Sequence, residues 1–289
     1  MPIKLKSSCS SIVGRREKNE DQVCHFLNLK NNGTSIKNEY APVDLFVICD
    51  GHAGIAVSKF ASDKLLKYFS NKKIKYPLKK NVVVRLFDKI NNEIKSMGIG
   101  ETCGSTALML CRCFDGKKEI IQVINLGDCR AVMAKNGFAI PLTKDHKPNW
   151  PEERTRIEKI ISKNKKNSEK ISNHDGDWRI SGLSVSRVFG DFDCLPYVSH
   201  IPDIFEYDVK DIDFVVMGCD GLYDCLQNHE IINFIYDHIN GNNLIVYKND
   251  NYPNNKVKNT KNISTRLAEY AMSVGSRDNI SLFIISFMK

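Results

Sequence analysis

The sequence predicts a mixed α+β fold from three observations. Apolar runs of strand length end in glycine-flanked acids at residues 45–49 and 214–219. Several of the intervening stretches carry apolar residues at helical spacing. Short strands separated by Gly-containing turns fill the middle of the chain. The 289 residues contain no Pro/Ser-rich linker, so the expectation is a single domain over 1–289 with room for an ample core.

The stretch to Val13 is short and polar. Residues 14–21 then read Gly-Arg-Arg-Glu-Lys-Asn-Glu-Asp. In that charge cluster Arg16 offers a planar fork suited to phosphate, and the neighbouring acids could hold metal-bound water. The first apolar run, 45–49, is followed by Asp50-Gly51-His52-Ala53-Gly54. Asp-Gly is also a favoured hairpin turn. However, Val57, Phe60, Ala61, Leu65 and Tyr68 recur at helical spacing over 55–69, and a strand, an acid and a helix make a poor hairpin. A second helix, carrying Val83, Leu86, Phe87, Ile90, Ile94 and Met97 on one face, is expected to pack on the same sheet.

Strands are expected at 105–113, 120–125 and 130–135, with Asp115-Gly116 and Gly127-Asp128 between them and a hairpin signal at Asn136-Gly137. The strand pattern is lost from 142 to 181. Pro148 and Pro151 precede a helix over 152–161, and the Asn/Lys/Ser-rich residues 163–173 read as surface loop within a flap or recognition segment around 148–182. Ordered structure resumes at 183–191, and Pro196 and Pro202 place a loop before the strand at Phe214. A helix over 228–239, capped by Asn228, precedes an Asn-rich surface loop around 241–262, a last helix over 264–274 and a closing strand over 280–287.

Composition excludes several classes. The net charge is +8 with pI near 8.9, but the lysines are scattered among asparagines in stretches such as 163–170 and 248–261. No aromatic side chains are interleaved with them, so they read as solvated surface and no nucleic-acid partner is expected. The ten cysteines lack the paired spacing of a zinc site, and Cys49, Cys111 and Cys219 lie inside apolar runs. With no apolar leader at the start, reduced thiols in the cytoplasm or nucleus are the expectation. No stretch has the length of a transmembrane helix, so no membrane partner is expected.

Four acids, Asp50, Asp128, Asp220 and Asp278, lie beside predicted strands, each interrupted by Gly or Asn. A carboxylate-rich, His-poor set selects hard cations, Mg²⁺ or Mn²⁺ over zinc or copper. A bridging carboxylate can hold two such ions about 3.5–4 Å apart, which is hydrolytic chemistry. A cysteine nucleophile would need a Gly/Arg-rich thiolate loop, and no cysteine here sits in one.

Seven motifs then arrive in one order: Arg16 with Glu20-Asp21, Asp50-Gly51-His52-Ala53-Gly54, Gly104-Ser105-Thr106-Ala107, residues 125–130, residues 186–191, residues 219–224 and Ser276-Arg277-Asp278-Asn279. Together they resemble the type 2C, metal-dependent serine/threonine protein phosphatases over nearly the whole chain. The resemblance implies a four-layer αββα sandwich, two antiparallel sheets flanked by pairs of helices. It implies that Asp50 bridges two Mg²⁺ or Mn²⁺ ions, with the Gly51 carbonyl on one and Asp220 and Asp278 on the other. Glu20 and Asp21 would hold coordinated waters, and Asp128 would help bind a weaker third ion. Arg16 would grip the substrate phosphate and His52 would protonate the leaving alkoxide. The implied reaction is hydrolysis of phosphoserine and phosphothreonine in phosphorylated protein substrates, by in-line attack of a water bridging the two ions with no phosphoenzyme. A monomer is expected. The alternative is an inactive phosphatase-like scaffold, against which the retained acids argue. Arg187 and Asp191 also match and are read as an internal salt bridge or flap anchor. The Gly-Gly pair that the resemblance would place after Arg156-Ile157 is absent.

Overall fold

The protein is described by a computed structural model over residues 4–29, 43–163, 170–240 and 262–288. The expected loop at 241–261 and residues 164–169 of the flap segment lie outside the described residues. The strands of the two main sheets are β1 (Lys4–Ile12), β2 (Gln22–Leu29), β3 (Val43–Cys49), β4 (Ala107–Phe114), β5 (Glu119–Leu126), β6 (Arg130–Lys135), β7 (Phe138–Pro141), β8 (Asp203–Asp208), β9 (Phe214–Gly218) and β10 (Ile280–Met288). The principal helices are α1 (Ala56–Phe69), α2 (Lys80–Met97), α3 (Pro151–Lys163), α4 (Asn228–Ile239) and α5 (Ile263–Ser273).

One sheet has the order β8-β5-β4-β3-β2 and the other β1-β10-β9-β6-β7, with every neighbouring pair antiparallel. Side-chain alternation explains why both sheets are buried on two faces. On β3, Leu45, Val47 and Cys49 pack against α1 and α2 through Ala61, Leu65, Phe87 and Ile90. The intervening Phe46 and Ile48 turn the other way and meet Met217, Phe283 and Ile285 of the facing sheet. On β9, Val215 and Met217 face that middle layer, whereas Phe214 and Val216 pack under α4 and α5 against Ile231, Ile235 and Leu267. Three apolar layers between four layers of secondary structure make the expected αββα sandwich. Phe46 and Phe283 meet edge to face across the middle layer, with centroids 5.4 Å apart.

The Asn136-Gly137 hairpin forms as expected, with φ of 52° and 80° joining β6 to β7. Several elements differ from the sequence reading. The polar start of the chain is β1, which pairs along its whole length with β10; a strand held by its backbone ladder needs little apolar signal. Residues 203–208 are the edge strand β8 where a loop was expected. In the flap segment, Ser172–His174 and Asp177–Arg179 pair as a two-stranded ribbon. Helix α4 is capped by Gln227, whose side chain forms a capping box with Glu230. Asn228 instead accepts a hydrogen bond from Arg130 Nη1 at 2.9 Å.

Candidate active site

The four strand-end acids come from both sheets. Asp50 follows β3 of one sheet. Asp220 follows β9 and Asp278 precedes β10 of the other, while Asp128 lies in the turn that carries β5 across to β6. The common end of the sandwich therefore gathers them into a cleft of about 730 Å³, lined also by Arg16, Glu20, Gly51, His52 and Lys147. No cysteine is among its lining residues.

Local hydrogen bonds fix each acid. The Asp50 N–H donates to Thr106 Oγ1 at 3.0 Å and the Thr106 N–H returns to the Asp50 carbonyl at 2.9 Å. The chain then forms a short strand, Gly51–His52, beside Gly104–Ser105. Asp220 opens a single helical turn. Asn279 holds the N-terminal charge cluster against Asp278. Its Oδ1 accepts from the Glu20 N–H at 2.9 Å, and its Nδ2 donates to the Val13 and Lys18 carbonyls at 2.8 and 2.9 Å. Gly14 lies at φ +63°, where a Cβ would stand 2.0 Å from the Asp278 carbonyl oxygen; only glycine fits that approach. Gly51 is confined for another reason, since a Cβ there would lie 2.6 Å from both the Glu20 carbonyl oxygen and Ser58 Oγ. Gly51→Ala is expected to displace the Asp50-Gly51 turn and cost about 1–3 kcal/mol of stability, measured by denaturant titration.

Electrostatics show what this cluster lacks. Burial, with the charges of Asp220, Asp21 and Asp128, raises the Asp50 carboxyl well above the usual range. Burial also pushes Asp220 up to about 8, with Asp128 and Asp224 adding to it, and pushes Asp21 up to about 6. Asp21 Oδ2 is buried without a hydrogen-bond partner. Asp21, Asp50 and Cys219 present ligand atoms within 4.8 Å of one another. The Cys219 thiol is already engaged, donating to the Asn279 carbonyl at 3.3 Å and accepting from the Ser281 N–H at 3.2 Å. A buried set of oxygens short of positive charge, one of them unpartnered, fits a hard divalent cation. Asp50, Asp21, Asp220, Asp278, Glu20 and the Gly51 carbonyl are the groups that would hold it.

Two cations already occupy parts of the cleft. Lys147 Nζ pairs with Asp128 Oδ2 at 2.5 Å, so the acid expected to help a weaker third ion is neutralised by a lysine. Arg16 Nη2 bonds Asp278 Oδ2 at 2.6 Å and remains 59 % exposed, with donors free to face a substrate. His52 Nε2 lies 2.7 Å from Asp191 Oδ2. Burial lowers the His52 pKa, but the bond to Asp191 and its charge outweigh this and raise it above the ordinary imidazole value. Asp191 is thus more than a flap anchor. Arg187 does form the expected salt bridges, to Glu153 and Asp203.

Sequence reasoning assigned no role to Lys147, Asn279 or Asp224, and none at the site to Asp191. Asp224 had a readable signal, since it stands four residues after Asp220 on one turn. The Asp191–His52 and Lys147–Asp128 pairs join residues 139 and 19 positions apart, and no spacing rule reveals them.

Residues 5–280 match the family model described as Protein phosphatase 2C. The "PP2C-like domain-containing protein R307" of Acanthamoeba polyphaga mimivirus is 54 % identical over 177 residues, 61 % of this chain and 98 % of that protein. The rice (Oryza sativa subsp. japonica) protein named "Probable protein phosphatase 2C 7" is 30 % identical over 98 % of this chain. The chain spans about two thirds of the length of such plant relatives, 66 % for that one. The crystal structure of a phosphatase from a pathogenic strain of Toxoplasma gondii superposes with a TM-score of 0.74 at 21 % identity, covering 99 % of this chain and 94 % of that one.

Proposed function

Because this chain belongs to the protein phosphatase 2C family, a family of metal-dependent protein phosphatases, we propose that it hydrolyses phosphoserine and phosphothreonine in proteins, in one step without a phosphoenzyme. The observation that carries the reading is the convergence of Asp50, Asp220 and Asp278 from two sheets onto one cleft, beside an exposed arginine and an acid-paired histidine. Bound Mg²⁺ or Mn²⁺ supplies a water of lowered pKa and neutralises charge on phosphoryl oxygens.

The chain's own groups do the rest. Arg16 binds the phosphate through its free guanidinium donors, and its bond to Asp278 sets the direction in which they point. His52, oriented by Asp191 and made more basic by it, delivers a proton to the departing serine or threonine oxygen. The ribbon residues Asp177 and Arg179 rim the cleft with Leu183 and Val185, so the flap limits what approaches.

The test is turnover of a phosphothreonine peptide with Mn²⁺ and with EDTA. Turnover that survives EDTA refutes the mechanism, and no turnover under either condition supports the scaffold alternative. His52→Ala is expected to lower kcat on the peptide by about 10²-fold or more, with a much smaller loss on an aryl phosphate, whose leaving group needs no proton. Asp191→Asn is expected to show the same split at smaller amplitude. Equal losses on both substrates would count against proton delivery by His52.

A further inference from the structure

One stretch of the chain carries a charge surplus as large as that of the whole. Residues 56–97, comprising α1, its connector and α2, hold eleven lysines and arginines against three acids. That surplus of eight equals the net charge of the entire chain, so all other residues together are neutral. Five of these lysines, Lys72, Lys73, Lys75, Lys79 and Lys80, fall within nine residues that contain no acid, and all five are exposed. None has an ion-pair partner among the described residues.

The segment presenting them is pinned. Tyr76 and Leu78 are buried in the layer beneath the helices. The Tyr76 hydroxyl donates to the Phe69 carbonyl at 2.6 Å. The Leu78 N–H donates to Gln122 Oε1 at 2.6 Å, and Gln122 Nε2 returns to the Leu78 carbonyl at 3.1 Å. With Tyr76 and Leu78 turned inward, the ammonium groups stand on a fixed support. Like charges held together raise the local potential and attract an anionic partner at little ordering cost to the protein.

We propose that this basic face docks an acidic segment of a partner protein, a run of Asp, Glu or phosphorylated residues. Charge complementarity gives the sign of the partner, and the composition of the face gives its class. A membrane surface would need an apolar anchor beside the charges, but Ile74 packs against the core and Tyr76 and Leu78 are buried. A nucleic acid would need stacking rings or bidentate arginines. Yet Lys64 Nζ lies 4.8 Å from the Phe60 ring, and Lys64 and Lys89 lie 5.6 and 4.3 Å from the Tyr68 ring. Only Arg85 among the eleven basic residues is an arginine. Lysines are mobile point charges that suit a sequence-tolerant acidic strand. Helix α1 leaves the cleft just after His52 and rises about 21 Å over its length, so the connector lysines at its far end are separate from the candidate active site.

The experiment is fluorescence anisotropy of a labelled poly-glutamate peptide with the full chain. Lys72→Glu/Lys73→Glu/Lys75→Glu is compared with a control reversal at Lys6, Lys159 and Lys210. The wild type is expected to bind, more weakly as salt rises, and the connector variant to bind at least about tenfold more weakly. The control is expected to match the wild type. The glutamine counterpart of the connector variant, which removes charge without adding repulsion, is expected to fall between. Circular dichroism and aryl phosphate turnover serve as folding checks, and because the assay reads binding, its failure is distinct from failure of the phosphatase reading. No wild-type binding, or equal binding by all variants, overturns the proposal. So does tighter binding of the same face to phosphatidylserine–phosphatidylcholine vesicles or to duplex DNA.

Discussion

Asp50→Asn is expected to lower metal-dependent phosphatase activity by roughly 10³-fold or more while making the metal-free protein more stable. Both effects have one cause. Asp50 sits where both sheets deliver their acids, and burial together with the charges of Asp220, Asp21 and Asp128 opposes its ionisation. Without a cation the carboxylate is a buried like charge. An isosteric amide removes that charge while keeping two polar atoms, and relieving such a site is worth roughly 1–2 kcal/mol. The same change removes the ligand expected to bridge the ions. Thermal melts with and without Mn²⁺ separate the effects. The wild type should melt higher when the ion is added, by mass action. The variant should start higher and gain little. A variant that is fully active, or that gains as much from Mn²⁺ as the wild type, would remove Asp50 from the metal site.

Glu153→Ala is expected to be the costliest single change at the base of the flap, about 3–5 kcal/mol. Glu153 is 3 % exposed on α3. Its Oε1 accepts from Arg187 Nε and Nη2 at 2.9 and 2.6 Å, and its Oε2 accepts from Arg156 Nη2 and Ser186 Oγ at 2.9 and 2.7 Å. Arg187 continues to Asp203 of β8 at 3.0 Å. Removing the carboxylate leaves the partly buried Arg156 without its ion-pair partner and Arg187 with Asp203 alone. Burial opposes the Glu153 charge, but Arg187 and Arg156 hold its carboxyl down at about 2. The hydrogen bond from His146 and the Arg187 charge, against burial, hold Asp203 at about 2 as well. Both carboxyls are more acidic folded than unfolded, so their contribution is complete above the ordinary carboxylate range and is lost as pH falls from about 4.5 toward 2. The stability gap between wild type and Glu153→Ala should therefore be full at neutral pH and narrow in acid, as denaturant titrations at each pH would read. A gap that stays constant down to acid pH would mean that the loss comes from packing and not from charge.

The legible parts of the fold were those whose signal is local. Residues 45–49 and 214–218 are apolar throughout because each strand is covered on both faces, and α1 and α2 show their core faces as helical periods. What escaped lacked an apolar pattern. Strand β1 reads as polar because its edge position needs only a partner for its backbone, supplied 270 residues later by β10 at the Ser11–Ser281 pair. Strand β8 and the flap ribbon are exposed edges of the same kind.

The sequence by itself determined the chemistry on offer: carboxylates beside strand ends with no free cysteine loop, an arginine among acids, a histidine directly after Asp50-Gly51. Those are identities, and identity is local. Only the tertiary structure decided which groups meet. Facing sheets brought Asp50 to Asp220 and Asp278, pairing across 139 residues gave His52 its Asp191, and Lys147 came to Asp128. It also decided that the five lysines of residues 72–80 stand together on the surface, because a pinned connector turns them outward while Tyr76 and Leu78 go in. Coulomb interactions and hydrogen bonds depend on distance through space, which a linear pattern does not contain.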